Sequence, residues 1–364
     1  AKDMAKQVKL HDVARSAGVS LGTASQALNG RSSVSEETKA RVLEAAIGLG
    51  YLKDPIKTLH AQDLSVVGML TKHDVNLATT VNAFYSHVQA GVEQACRDYG
   101  INLMVSAIEV DRSNRPVMLP KMIKEQHPDG LLFVGTFLDD TIDTIYKDLE
   151  IPIVLIDSYA PHLPYDSVVT DNRQGTKLAV EHLIERGHRH IGIVGSQDKS
   201  PPSILERRAA YLEIMQTHGL EPYVEDSDLL KATGYSGTKN LLQRSPNVTA
   251  IFACNDEVAT GVIQALREMG KRIPEDISVI GFDNVDYTAD LYPPLTTIHV
   301  HKTWLGRLGV RMLLERTKNP NQPQITNSLA TQLVERQSVA AVSRGSGKKV
   351  RPERKEEVMV SDTS

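Results

Sequence analysis

Cysteine is nearly absent: the chain has 364 residues and two cysteines, Cys96 and Cys254. Far apart and set among apolar or helical neighbours, they offer neither a disulfide framework nor zinc-ligand spacing, so both read as buried free thiols. No stretch approaches the roughly 18 consecutive apolar residues of a membrane span. Ala1–Lys9 is polar and lacks the apolar run of a secretion leader, which leads to the expectation of a cytoplasmic protein. A strong excess of one charge is also missing. The net charge of −4 excludes a protein coated in basic surface, so any nucleic-acid affinity has to come from a local module. The Gly-rich phosphate loop ending in Lys-Ser/Thr and the Gly-x-Gly-x-x-Gly fingerprint are both absent, which weakens an enzyme reading.

What is present is the composition of an ordinary globular protein, 41% hydrophobic and 24% charged, long enough for two or three domains. Four zones follow: a helical module over 1–52, a short linker over 53–64, a long region over 65–343, and a tail over 344–364. The tail is rich in Lys, Arg, Glu and Ser and reads as disordered. In the long region, apolar strand-like runs alternate with amphipathic segments. Strands are expected at Val66–Leu70, Asn102–Ile108, Gly130–Val134, Ile153–Ile156, His190–Val194, Ala250–Ala253 and Ser278–Gly281. Helices are expected at Tyr85–Tyr99, Asn172–Arg186, Glu257–Met269 and Lys302–Arg316. This is the pattern of an α/β fold with parallel sheets covered on both faces, long enough for two lobes. Several strands end in polar residues, namely Asp157, Ser196, Asn255–Asp256 and Asp283–Asn284. Ligands of open α/β sheets bind beyond such carboxyl ends, so a small-molecule cleft is expected there.

The first zone has its own logic. Leu10, Val13, Ala14 and Ala17 recur at helical spacing, and Gly18 ends that helix. Ser20 is a natural N-cap for a second helix, with Ala24, Ala27 and Leu28 inward and Gly22, Ser25, Gln26 and Asn29 outward. A third helix starts at Ser35, with Val42, Ala45, Ala46 and Leu49 as its apolar stripe and Gly50 to close it. Three short helices with a tight glycine turn make a helix-turn-helix headpiece. Over residues 1–60, nine basic residues face six acidic ones, about +3 on an otherwise acidic chain.

The wording of this segment goes further. Lys9–Asn29, Val34–Thr38 and Leu49–Tyr51 resemble the headpiece of the LacI/GalR (lactose repressor) family. The likeness continues through Asn82–Tyr85, Ala253–Asp256, Val279–Asp283, Pro294–Ile298 and Leu333–Ser338. The resemblance implies a two-lobed domain like periplasmic sugar-binding proteins and a sequence-specific DNA-binding regulator, most often a repressor. Its partners would be a pseudo-palindromic operator, a second copy of the chain and a small effector. The effector is usually a sugar, though some members bind nucleobases. No cofactor, metal or catalytic residue is implied. By the same resemblance Leu21, Gly22 and Gln26 read base edges, while Ser20, Thr23, Ser25, Asn29, Ser35 and Thr38 touch phosphates. Gln26 has the chemistry to pair with adenine and Leu21 to pack on a thymine methyl; Gly22 has no side chain with which to read anything. The family often carries Arg at the position of Gln26, so the operator is not transferable.

Between headpiece and lobes, Asp54-Pro55 can start a short helix that is marginal alone. In the family this hinge folds on DNA and a leucine wedges into the minor groove; Leu59 is the best match. Proline falls four residues after Tyr51 rather than two, so a flexible tether with an incidental leucine is the alternative. In the long region the resemblance points to Arg207, which precedes Ala210 and Tyr211 on the first helix of the second lobe, and to Asn255, Asp283 and Asp157 as effector contacts. Such groups suit a polyol; the alternative is a salt-bridge network, or helix caps for Asp157 and Asn255. The loop from Thr71 to Val81 is long for the family and should border the cleft, with Asp74, Phe84 and Tyr85 near it. The two aromatics equally suit packing at a helix start. His188 and His190 read as a polar turn rather than a metal pair. A corepressor-dependent regulator of a non-sugar metabolite, or a solute-binding protein without regulatory role, are the competing functions.

Overall fold

The computed structural model describes residues 8–28, 34–49, 51, 64–74, 83–110, 116–118, 120–123, 128–135, 142, 151–158, 160 and 163–342. Asn29, the hinge stretch with Leu59, the side chain of Asp74 and the tail over 344–364 lie outside the described residues.

The headpiece is three helices, α1 (Leu10–Ser16), α2 (Leu21–Leu28) and α3 (Glu36–Gly48). Gly18 has φ +67° and closes α1, with Val19 N donating to Ala14 O at 3.0 Å and Gly18 N to Arg15 O at 3.3 Å. Those two bonds form a Schellman motif, in which glycine takes the left-handed residue without strain. The chain therefore reverses within Ala17–Ser20 and delivers Ser20 as N-cap of α2, its Oγ accepting Thr23 N at 3.0 Å. Ser35 caps α3 in the same way, so it precedes that helix rather than opening it. The packed interior is Val13, Ala14, Ala17, Ala24, Ala27, Val34, Val42 and Ala46. Leu49, expected on the inward stripe, is exposed.

The remainder forms two sheets. The first holds β1 (Val66–Asp74), β2 (Asn102–Val110), β3 (Pro116–Met118), β4 (Gly130–Val134), β5 (Ile153–Ile156), β6 (Asp166–Thr170) and β12 (Thr326–Leu329), in the order β12-β6-β5-β4-β1-β2-β3. The second holds β7 (Ile191–Ser196), β8 (Tyr223–Asp226), β9 (Ala250–Ala253), β10 (Ser278–Asp283), β11 (Thr296–His299) and β13 (Gln332–Val334), in the order β13-β11-β10-β9-β7-β8. Helix α4 (Ala83–Tyr99) and helix α9 (Lys302–Lys318) pack on the first sheet. Helices α5 (Asn172–Glu185), α6 (Pro202–Thr217), α7 (Lys231–Arg244) and α8 (Asp256–Glu268) pack on the second. The chain changes lobe three times, after β6, after β11 and between β12 and β13.

Strands β4, β5, β7, β9 and β10 are buried throughout, as continuous apolar strands covered on both faces must be. The sheets are dominated by parallel pairs but not uniform: β2–β3 and β11–β13 are antiparallel. β1 runs four residues beyond the expected Leu70, because Thr71–Asp74 keep pairing with Ala107–Val110. Strand β6 has no apolar start, since it opens on Asp166, whose carboxylate receives Nε and Nη2 of Arg316 at 2.8 and 2.6 Å. Close helix contacts rest on glycine: a Cβ on Gly91 would overlap the backbone of Thr303, and one on Gly306 the backbone of Val88, so α4 and α9 meet through bare backbone. The two cysteines are free and buried.

Candidate DNA interface and effector cleft

On the headpiece, Leu21, Gly22 and Gln26 lie exposed on one face of α2, Leu21 at 50%. The opposite face carries Ala24 and Ala27 into the core. At the start of α2, Ser20 Oγ and Thr23 Oγ1 are 2.8 Å apart; at the start of α3, Ser35 Oγ donates to Thr38 Oγ1 at 2.9 Å. Two helix N-termini thus each present a pair of hydroxyls together with the positive end of a helix dipole, an arrangement suited to phosphate oxygens.

The candidate effector contacts cluster at the carboxyl ends of β5 and β10. Asp157 follows β5 with φ +57°, and Asp283 and Asn284 end β10 with φ +114° and +50°. These are the non-glycine residues with positive φ among the described residues, and such strain is characteristically retained at ligand sites. Arg207, on α6, is 4% exposed. Its Nε donates to Asn172 Oδ1 at 2.9 Å and its Nη1 to Cys254 O at 2.5 Å and Asp283 Oδ1 at 3.5 Å, while its plane lies 3.6 Å from the centroid of Phe282. Asn172 in turn donates to Glu206 Oε2 at 3.0 Å. From the first lobe, Tyr85 donates its hydroxyl to Asp157 Oδ2 at 2.9 Å.

Burial is the main electrostatic influence here. It pushes Asp157 up to about 6, against the opposing pull of Arg207 and the Tyr85 hydroxyl. Asp283 is raised by the same cause, with Arg207 and then Lys302 acting in the other direction. Among the described residues, the second oxygen of Asp157, Oδ2 of Asp283 and Nη2 of Arg207 make no hydrogen bond. Two acceptors and one donor therefore remain for a bound molecule.

The sequence profile described as "Bacterial regulatory proteins, lacI family" matches residues 9–54, and that of a periplasmic binding protein-like domain matches 180–339. The chain is 32% identical over 338 residues to the ribose operon repressor of Haemophilus influenzae, covering 91% of this chain and 98% of that protein. It belongs to the lacI family. It is also 32% identical to the HTH-type transcriptional repressor PurR of Photobacterium profundum, over 91% of this chain and 98% of that one. Among solved structures, the lac repressor dimer bound to operator and an anti-inducer is 26% identical, with a TM-score of 0.65 over 92% of this chain and 100% of that one. A lacI family regulator from Enterococcus faecium with bound ribose is 26% identical, with a TM-score of 0.65 over 76% of this chain and 100% of that one. Like its relatives, the chain is a DNA-binding transcriptional repressor with a small-molecule effector, not an enzyme.

Within that lacI frame, the residues expected in the cleft divide. Asp157, Arg207 and Asp283 come together; Arg207 lies on the second helix packed against its sheet, α6, rather than the first. Asn255 caps α8, its Oδ1 accepting Val258 N at 2.8 Å and its Nδ2 donating to Leu229 O at 3.3 Å. Phe84 is buried in the apolar cluster with its edge against Tyr85, so the aromatic that reaches the polar cluster is Tyr85. Tyr211 is fully buried and ties Ile191 O to Tyr223 N, a packing role. His188 bonds Thr249, Ser278 and Ala340 O, and His190 bonds Tyr223, which is the polar-turn reading. Unforeseen were Asn172, which orients Arg207, and Lys302, a buried lysine at the start of α9. Among the described residues no helix is long and apolar enough to cross a membrane, and no His, Cys, Asp and Glu group could hold a metal ion.

Proposed function

We propose that this repressor binds a pseudo-palindromic operator as a homodimer and releases it when a small neutral sugar enters the cleft between the lobes. The observation that carries the reading is the convergence of buried Arg207 and Asp283 with half-buried Asp157, the two aspartates on strained backbone, with two acceptors and one donor left open. Carboxylates accept from vicinal hydroxyls, and a guanidinium edge donates to a third oxygen, which is the chemistry of polyol recognition. Two of the named relatives support a sugar, one being a ribose operon repressor and one a regulator with ribose bound.

On the DNA side, Leu21 and Gln26 face base edges, with Gly22 admitting close approach. Ser20, Thr23, Ser25, Asn29, Ser35 and Thr38 take phosphates. Residues 1–52 then form the headpiece and 53–64 the hinge, Leu59 providing the minor-groove wedge. Residues 65–343 form the effector and dimerisation body, in a protein acting where its DNA is, in the cytoplasm. Effector binding changes the lobe angle and with it the spacing of the two hinges, so DNA affinity and sugar affinity are linked reciprocally.

The test is a calorimetric screen of mono- and oligosaccharides on the full-length protein, with and without operator DNA. A sugar that binds saturably and weakens operator affinity supports the proposal. Tightening of operator binding would reverse its sign, and binding only of non-carbohydrate metabolites would remove the sugar.

A further inference from the structure

The turn that carries Asp283 belongs to the second lobe, yet it is held from the first lobe at two points. Lys302 opens α9, is 5% exposed, and donates from Nζ to Asp283 O at 2.5 Å and to Asn284 O at 2.9 Å. Both acceptors are backbone oxygens, so the lysine fixes the course of the chain rather than a side chain. That course is the strained one, with φ +114° and +50° in succession, which L residues keep only where neighbours impose it. Two residues beyond Asn284, Asp286 receives Nε2 of His87 at 3.0 Å. His87 lies on α4, two residues past the Tyr85 that holds Asp157. The two holding helices are themselves joined through Gly91 and Gly306.

Burying an ammonium among backbone carbonyls is costly. Burial lowers the basicity of Lys302, and the carboxylates of Asp283, Asp256 and Asp286 act against that shift. A methionine would fill the same space without the cost. A lysine buried here therefore calls for a reason other than packing, and its two hydrogen bonds supply one.

We infer that Lys302 is a positioning residue, seconded by the His87–Asp286 contact: it holds the Asp283–Asn284 turn in its ligand-accepting form and ties cleft occupancy to helices α9 and α4 of the first lobe. The inference rests on the reading of Asp283 as an effector contact. In an empty cleft, the same bonds keep the turn preorganised, so binding does not have to order it. In an occupied cleft, any pull on Asp283 is passed through Lys302 to the helix pair that also carries Tyr85.

The experiment uses the full-length protein, with ribose as the sugar probe. Hydrogen exchange of the backbone over 283–288 is measured without ligand, and ribose and operator affinities are measured by calorimetry and fluorescence anisotropy. Lys302→Met is expected to speed exchange in that segment and to weaken ribose about tenfold, the scale of losing hydrogen bonds from a charged group. Operator affinity without ribose should stay within about twofold, since the lysine acts within the effector body. Lys302→Arg should restore much of the protection. His87→Ala removes a half-exposed contact and should weaken ribose only about two- to threefold. Its effect should not add to that of Lys302→Met, because both act through one turn.

If ribose binds neither wild type nor variant, the choice of sugar is at fault, and the exchange measurement still decides the inference. Unchanged protection of 283–288 in Lys302→Met overturns it. Should Lys302→Met fail to fold, unchanged protection in both His87→Ala and Asp286→Ala overturns it instead.

Discussion

The headpiece and the cleft solve recognition in opposite ways. On the headpiece the groups expected to touch DNA are neutral and mostly exposed, carried on helices over an interior of alanine and valine. In the cleft the candidate groups are charged: Arg207 on α6 and Asp283 are buried, Asp157 is half-buried, and the two aspartates sit on strained strand ends, beside an apolar cluster that includes Phe282, Phe252 and Tyr211. A phosphate backbone is long and already solvated, so a surface of hydroxyls and helix ends suffices, with affinity drawn from many weak contacts. A single small polyol offers few atoms, so each contact has to be strengthened by excluding water. Damage should therefore be local and graded on the headpiece, and severe in the cleft.

The sharpest way to break this contrast is Arg207→Leu. It leaves Asp283, Asn172 Oδ1 and Cys254 O without their shared donor, and removing one partner of a buried pair costs about 3–5 kcal/mol. The expected outcome is a clearly lower melting temperature and loss of measurable sugar response, with operator binding kept below the melting range. Loss of operator binding at 25 °C in a folded variant would show that cleft and headpiece are not separable.

A smaller effect of opposite sign is expected at Asp157. Burial pushes this carboxyl up to about 6, well above the roughly 3.9 of an unfolded chain. Between those values the folded protein holds a proton that the unfolded chain has lost, so stability falls as pH rises through the window and stays lowest above it. Asp157→Asn removes that ionisation and keeps an acceptor for Tyr85. At pH 7.5 the variant should be more stable by on the order of 2–3 kcal/mol, the advantage vanishing below about pH 4. Its sugar affinity should drop, and wild-type affinity should weaken as pH falls below 6. Chemical denaturation across pH checks the first, calorimetry the second.

This difference also governs what was legible beforehand. Helical spacing located the three headpiece helices and the turn from Gly18 to Ser20, because a small domain leaves only one face for apolar residues; Ser35 caps the third helix rather than opening it, and Gly50 lies outside the described residues. Strands β4, β5 and β9 were legible to the residue, being short unbroken apolar runs. Strand β6 was not, because it opens on Asp166, nor β12 and β13, which are short and largely exposed. Arg207 was reached through family resemblance alone. Nothing local marks an arginine on α6 as the one that meets Asp283, since the two residues lie 76 apart in the chain. Lys302 carried no signal of its own, since a lysine opening a helix ordinarily faces water.

On the headpiece, Gln26→Ala tests whether the exposed face of α2 reads sequence. Gln26 has the donor and acceptor to grip adenine, and one such pair discriminates by about 1–3 kcal/mol. A randomised-operator selection should show one base-pair position per half-site losing its preference, with the salt dependence of binding unchanged. An unaltered consensus would remove Gln26 from the reading face.

The smallest expected effect separates capping from phosphate contact. Ser20→Ala deletes the oxygen that accepts Thr23 N and pairs with Thr23 Oγ1, and a lost N-cap costs about 1 kcal/mol. Ser20→Gly frees the same bond but costs a helix start only a few tenths of a kcal/mol. If the hydroxyl also touches a phosphate, both variants should weaken every operator sequence to a similar degree, leaving the preferred site unchanged. If it is a cap alone, Ser20→Gly should bind nearly as wild type, and the loss in Ser20→Ala should follow headpiece melting. Anisotropy titrations of the two variants on matched and scrambled operators distinguish these outcomes. The cap reading would move the interface toward Leu21 and Gln26 and away from the helix ends.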